Sequence, residues 1–372
     1  MQSCEVLIVG GGPAGSTCAR MLTRAGLDVL VLDKSEFPRD KVCAGWITPQ
    51  VVEELEIDLA DYAAGRTLQP ITAFSTGLGQ VEPQPVRYPR TVSYAIRRCE
   101  FDHYLLQRSG ASLRLGEAWR SMRREAGGWV VNDAIRASLV VGAGGHFCPV
   151  ARFIGAQLGK DEAAIYAQEI EFEMSEAQAA QCQVAGEQPE LYFCDDLKGY
   201  GWCVRKHNFL NIGLGRDGNH RLNEQVQALW NWLVQAGKIP ADLPGRFKGH
   251  AYILYSQGVR PVVDEGVLVI GDAAGLAYTQ SGEGIRPAIE SGILAAQVIK
   301  AAAGDYRREQ LAGYDARIKA RFGKRGTGGL GKAVPDRWRM ALARSLMRQS
   351  WFTRRVVLDR WFLHAGEPAL RG

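Results

Sequence analysis

"EVLIVGGGPAGSTCARMLTRAGLDVLVLD", residues 5 to 33, is the stretch from which the fold can be read. The apolar run Val6 to Val9 breaks into glycines, passes into residues with helical spacing, and returns to a second apolar run that stops on an acid. Strand, glycine turn, helix and strand make a βαβ unit. The G-x-G-x-x-G spacing at Gly10, Gly12 and Gly15 gives each glycine a task. Gly10 allows the tight turn after the strand. Gly12 lets the backbone approach a pyrophosphate, and Pro13 and Ala14 open a helix whose N-terminus faces the phosphates. Gly15 lets helix and strand pack closely. Asp33 ends the second strand 23 residues after Gly10, followed by Lys34, where a carboxylate can accept hydrogen bonds from ribose hydroxyls. A bound dinucleotide is predicted. The same spacing recurs in "GTGGLG", Gly326 to Gly331, but "RFGKR" precedes it and no second strand with a terminal acid follows. That copy reads as a flexible basic linker.

A chain of 372 residues, 46% hydrophobic, can bury two interleaved domains and a tail. The first strand starts within a few residues of Met1 and no run of 18 apolar residues occurs, so a cytoplasmic protein is expected. Eight cysteines without a C-x-x-C pair point to a reduced compartment and away from a zinc or iron–sulfur site. No nucleic-acid partner is expected, and the oligomeric state is left open. Net charge is +5 but uneven: Asp315 to Arg360 holds thirteen Lys or Arg against three Asp. In and just after that segment Trp338, Leu342, Leu346, Trp351, Phe352, Val356 and Trp361 recur at roughly helical spacing, as in a basic amphipathic helix pair. Such a pair either packs its apolar face on the body or meets an anionic membrane surface peripherally.

Between the ends, residues 98 to 109 read as a helix and "SLVVGAGG", Ser138 to Gly145, as a buried strand ending in glycines. From Ala164 to Leu214, "AIYAQEIEFEM", "ELYFCD", "YGWCVR" and "FLNIGLG" are short β-type runs between turn residues, which suits an antiparallel sheet. "VLVIGD" returns the chain to the first sheet, and Gly284 to Ala302 reads as a closing helix. Between them "GDAAGLAYTQSGEGI", 271 to 285, removes side chains from Gly271, Gly282 and Gly284 yet keeps Asp272, a second turn that one small nucleotide would not require.

This order of motifs resembles the glutathione-reductase-type flavoproteins that include para-hydroxybenzoate hydroxylase and the geranylgeranyl reductases. The resemblance implies bound FAD, with Asp272 near its ribityl or ribose region and Gly282, Gly284 and Ile285 turning a helix toward the flavin ring. Four segments are similar to the geranylgeranyl reductase branch: "FPRDKVCAGWITP" (37 to 49), "RCEFD" (98 to 102), "GEGIRPAIESG" (282 to 292) and "YGWCVR" (200 to 205). They imply cofactor contacts from Arg39, Lys41, Cys43, Ala44, Gly45 and Arg98, and substrate contacts from Trp46, Tyr200 and Trp202. Departures are visible too. Gly144 stands where hydroxylases carry aspartate, Thr279 where many relatives carry proline, and Val204 and Arg205 where Phe and Pro are usual.

The implied architecture is α/β. A Rossmann-like FAD-binding domain (1–70, 92–158 and 250–305) with a parallel sheet is interleaved with an antiparallel-sheet substrate domain (71–91 and 159–249), and a basic helical C-terminal region (306–372) follows. The implied activity is reduction of a carbon–carbon double bond in a small apolar substrate by hydride from flavin N5. The alternatives are a flavin monooxygenase acting on a small molecule or a protein side chain, and a maturation flavoprotein that binds a partner protein. NAD(P)H or a reduced protein carrier would supply electrons. Cys43, beside Lys41, is either an activated thiol or a small pocket wall. His146 is a proton donor or a hydrogen-bonded structural group. Glu283 is a helix-start carboxylate or a proton relay.

Overall fold

Val6 to Val9 and Val29 to Leu32 are buried throughout, as expected of parallel strands covered by helices on both faces. The computed structural model describes residues 1–125, 127–157, 164–218, 221–242, 244–323 and 336–371. In the first sheet Gln2–Val9 lies between Val29–Asp33 and Ile135–Gly142, parallel to both. Ser112–Leu115 adds in parallel beyond Val29–Asp33, and Val267–Val269 beyond Ile135–Gly142. Val263–Asp264 closes that edge antiparallel. The chain therefore leaves its first strand toward one side and later fills the other. That reversal opens a crevice at the carboxyl ends of the strands, where Gly10, Asp33, Ala143 and Gly271 all stand. The strand expected over 138–145 runs over Ile135–Gly142, so Gly144 belongs to the crevice loop.

The second sheet has seven strands in the order Lys248–Tyr252, Ile165–Glu173, Phe209–Asp217, Gly199–Lys206, Glu190–Phe193, Ala73–Leu78 and Gln84–Arg87. Every pairing is antiparallel except Glu190–Phe193 with Ala73–Leu78. The edge strand Lys248–Tyr252 straddles residue 249 because it stays in register with Ile165–Glu169 along its whole length. Alternation along Gly199–Lys206 divides the sheet's two faces. Cys203 packs with Leu229, Trp230 and Leu233 of the helix Leu222–Gln235. Trp202 and Val204 point the other way, toward Trp46, Phe74 and the end of the chain. A small sheet of Trp46–Ile47, Ser93–Ile96 and Leu68–Ile71 joins the two large ones.

The C-terminal region turns back over the body rather than away from it. Helices Arg308–Leu311 and Gly313–Phe322 lead to Asp336–Met347, and a wider π-type winding covers Thr353–Phe362. Val357, Leu358, Phe362 and Leu363 are the residues it buries. The seam expected from the sequence is therefore displaced: Leu342 and Trp351 are 62% and 57% exposed, and Val356 and Trp361 are half-buried. Within Thr353–Phe362 the wider i→i+5 winding carries the contact stripe away from positions counted at 3.6 per turn; Leu342 and Trp351 precede it, and it does not account for their exposure. The side chain of Trp338 and the "GTGGLG" stretch lie outside the described residues. No helix among the described residues is long and apolar enough to cross a membrane.

Candidate active site

A cavity of about 630 Å³ occupies the crevice. Apart from Gly15, it is lined by every residue singled out above as a cofactor or substrate contact. Gly15 lies beneath, where a Cβ would sit 1.9 Å from the Gly10 carbonyl oxygen, so its place is at the helix–strand contact. Gly10 adopts φ +117° and a Cβ there would meet the Ala143 carbonyl at 2.3 Å; this position can only be glycine. The Asp33 carboxylate shapes the same turn, accepting from the Gly11 N–H at 2.7 Å and the Ser35 N–H at 2.8 Å. Arg39 reaches over from its loop, stacked at 4.7 Å on the Phe37 ring, with one guanidinium nitrogen 3.4 Å from where a Gly12 Cβ would be. Helix Arg98–Gln107 sets Arg98 and Asp102 one turn apart in a bidentate pair at 2.8 and 2.9 Å, and Arg39 approaches the same carboxylate at 3.3 Å.

Farther along, Lys41 Nζ lies 2.7 Å from His250 Nε2, which lies 3.9 Å from Asp272 Oδ2. Burial pulls the Lys41 ammonium down to about 8, against the opposing pull of Asp272. Asp272 is also penalised by burial, yet His250 and Lys41 more than offset this and hold its carboxyl at about 2. His250 itself is lowered, by burial and by Lys41. The cluster keeps a carboxylate ionised inside a largely enclosed crevice.

The second glycine turn forms the next wall. Gly282 takes φ +71°, and a Cβ there would lie 2.4 Å from the Tyr252 hydroxyl. Tyr200 donates its hydroxyl to the Ser281 carbonyl at 2.7 Å, so a central strand and an edge strand of the second sheet both hold this turn. Glu283 is a helix-start carboxylate: Oε1 accepts the Arg286 N–H at 3.1 Å as helix Ile285–Ala302 begins. It also lines the cavity, and burial raises it to about 7.

Beyond the turn the wall is apolar and aromatic. Trp46, Tyr200 and Trp202 converge with Phe362 behind them, ring centroids 6.2 Å from Trp46 and 5.1 Å from Tyr200. The Trp202 indole N–H donates to Asn211 Oδ1 at 2.7 Å, and the Asn211 amide donates to the Cys43 carbonyl and the Glu169 carboxylate, each at 3.2 Å. Cys43 is thus tied by its backbone to the second sheet, and its half-buried side chain lines the cavity with Ala44 and Gly45. His146 is buried with its Nδ1 3.2 Å from Arg260, and its carbonyl accepts from the same guanidinium at 2.9 Å; it also lines the cavity.

Sequence reading missed His250, Tyr252, Trp119 and Phe362. His250 and Tyr252 alternate with Ala251 on an edge strand, a period-2 signal that could have placed both on one face. Phe362 carried no signal beyond being apolar.

A family model described as FAD dependent oxidoreductase matches residues 5–81. Over 351 residues the chain is 27% identical to digeranylgeranylglycerophospholipid reductase 3 of Methanosphaera stadtmanae, a match covering 87% of this chain and 85% of that one. It is 29% identical over 292 residues to the menaquinone reductase of Mycobacterium tuberculosis, covering 73% and 70%. Among solved structures, a geranylgeranyl bacteriochlorophyll reductase-like protein of Thermoplasma acidophilum aligns with TM-score 0.73 at 23% identity, across 93% of this chain and 88% of that one, which shows a shared fold.

Proposed function

We propose that this FAD-dependent oxidoreductase reduces a carbon–carbon double bond in an apolar, prenyl-type substrate. The observation that carries the reading is the aromatic end of the cavity: Trp46, Tyr200 and Trp202, backed by Phe362, offer a methyl-branched isoprenoid chain an apolar slot next to the glycine turn. The name of the Methanosphaera relative points to the same class, a digeranylgeranyl lipid.

The residues present fit FAD. Asp33 would hold ribose hydroxyls, while Gly10, Gly12, the helix start at Pro13 and Ala14, and the Arg39 guanidinium would hold the pyrophosphate. Asp272, kept ionised by His250 and Lys41, would take the ribityl hydroxyls. Cys43, Ala44, Gly45 and the turn Gly282–Ile285 would border the ring. When bound, FAD supplies the hydride; NAD(P)H or a reduced protein carrier would restore it. The chain's own work is to orient and to exclude water. The N-terminus of Ile285–Ala302 points its positive end at the crevice, which favours negative charge there. The aromatic wall and the C-terminal winding hold the apolar segment and keep solvent out. An apolar substrate resides in a bilayer, so the same reading includes peripheral contact with an anionic membrane through the exposed basic part of the C-terminal region.

The test is anaerobic incubation of dithionite-reduced holoprotein with a geranylgeranyl lipid, followed by mass spectrometry. The expected product gains one pair of hydrogens per double bond reduced. A substrate unchanged without oxygen, but gaining an oxygen atom in air, would overturn the reading in favour of monooxygenation.

A further inference from the structure

Three buried polar atoms near the glycine turn have no hydrogen-bond partner among the described residues: Glu283 Oε2, the Tyr278 hydroxyl and His364 Nε2. Isolated cases are rare in folded proteins, and a group of them calls for an explanation. These three belong together. The Tyr278 and His364 rings stack with centroids 3.6 Å apart, and the Tyr278 N–H donates to the Glu283 carbonyl at 2.9 Å. On the cavity side, Glu283 has one carboxylate oxygen fixed by the Arg286 N–H and the other left over. On the solvent side, His364 Nδ1 lies 3.3 Å from Glu367 Oε1, and the Glu367 side chain is 43% exposed. An exposed acid, a buried imidazole and a buried acid thus run in series from solvent to the cavity wall.

We propose that Glu367, His364 and Glu283 form a proton relay, bridged by a water beside Tyr278, with Glu283 the catalytic acid that protonates the substrate. Its last step rests on the reductase reading. One water bridging all three would have three polar partners, the number a buried water commonly has. In the reaction the electron pair of the hydride from reduced flavin forms one new C–H bond as the π bond breaks. The carbon left electron-rich takes the proton from Glu283 Oε2, forming the second C–H bond. The Glu283 carboxylate is reprotonated through the water by His364, and His364 by solvent through Glu367. Flavin is oxidised by two electrons and the alkene reduced by two.

The surrounding charges suit the assignment. Glu283 faces His364 from the C-terminal segment, Arg286 and Glu290 from its own helix, and Tyr200 from the second sheet. Burial dominates and keeps a large share of the acid form near neutrality, while His364 opposes it. Glu367 is held below the usual carboxylate range by its hydrogen bond to His364, with Arg321 and Arg286 adding to this.

The experiment uses full-length holoprotein, wild type, Glu283→Gln and His364→Gln; the glutamine at 283 retains an acceptor for the Arg286 N–H. Glu169 and Glu54 are raised into the same range, so the Glu283 band is read from the wild-type-minus-E283Q double difference of infrared spectra against pH: it should disappear with a midpoint near 7, and H364Q should raise that midpoint. Reduction of the geranylgeranyl lipid should fall about a hundredfold or more in E283Q, with FAD retained, and less in H364Q. Wild-type and E283Q spectra with the same carboxyl bands, or wild-type turnover by E283Q, would overturn the relay. If no prenyl lipid is reduced even by the wild type, the reductase reading fails, and the infrared titration alone decides whether the relay stands.

Discussion

Asp33 is placed for two tasks with one carboxylate. Its position after the second strand announces a ribose contact, and the structure adds that both oxygens already brace the glycine turn through Gly11 and Ser35. Asp33→Ala should therefore weaken FAD binding by about 1.5–3 kcal/mol, the range for hydrogen bonds to a charged group, which is roughly ten- to a hundredfold in Kd. A fluorescence-quenching titration measures it; a Kd within twofold of wild type would remove Asp33 from the site. Gly282 offers a sharper case. Gly282→Ala places a methyl 2.4 Å from the Tyr252 hydroxyl at a backbone φ of +71°. Clash and left-handed strain act together, so the variant should purify with little flavin and a lower Tm. Adding Tyr252→Phe removes the clash but not the strain, which costs about 1–2 kcal/mol, and flavin content should recover only in part. Full recovery would show that φ was immaterial. Such positions are legible in a sequence because the backbone itself demands the residue. His250 is not, since local alternation places it only on a strand face and its partner Lys41 is 209 positions away.

Among the elements, buried strands announce themselves and the C-terminal winding does not. Val6 to Val9 read as a covered parallel strand because apolar residues on both faces leave no alternation to misread. Thr353–Phe362 misled a count at 3.6 residues per turn because its π-type winding buries Val357, Leu358 and Phe362 in place of Val356 and Trp361. What this element does could not be read without the fold: it brings Phe362 against Trp46, Phe193 and Tyr200, at the end of the aromatic slot. The segment after it is tied down by ions, with Arg286 donating to the Glu367 and Pro368 carbonyls at 3.1 and 3.0 Å and Arg321 paired with Glu290. Phe362→Ala should cost about 3–5 kcal/mol of stability, as for other buried phenylalanines, and should lengthen the slot. Phe362→Leu, with a smaller loss, is the variant to assay. The expected outcome is a shift of preference toward longer or bulkier isoprenoid chains in a competition assay read by mass spectrometry. An unchanged preference with lowered Tm would make Phe362 packing alone.

At the scale of the whole molecule, charge and apolar exposure coincide in one stretch of the C-terminal region. Arg344, Arg348, Arg354, Arg355 and Arg360 are exposed, and Leu342 and Trp351, the most exposed large apolar side chains of the C-terminal region among the described residues, share that segment. The inner face of the same segment covers Trp46, Phe74 and Trp202, so deleting the region would uncover core and aggregate the protein whatever the outer face does. Point substitution separates the two faces. Each cation near an anionic surface adds about 1 kcal/mol, and the sum weakens with salt because the Debye length shrinks to about 8 Å at physiological ionic strength. Two inserted apolar side chains would add attraction that salt does not screen. The protein should co-sediment with phosphatidylserine-containing vesicles at low ionic strength and much less with neutral ones. Leu342→Ser with Trp351→Ser should remove the salt-resistant part, and Arg354→Gln with Arg355→Gln the salt-sensitive part. FAD content should be untouched in all, since none of these side chains lines the cavity. Equal sedimentation with neutral and anionic vesicles, or none with either, would confine the basic face to solvation and leave the substrate to reach the aromatic slot by another route.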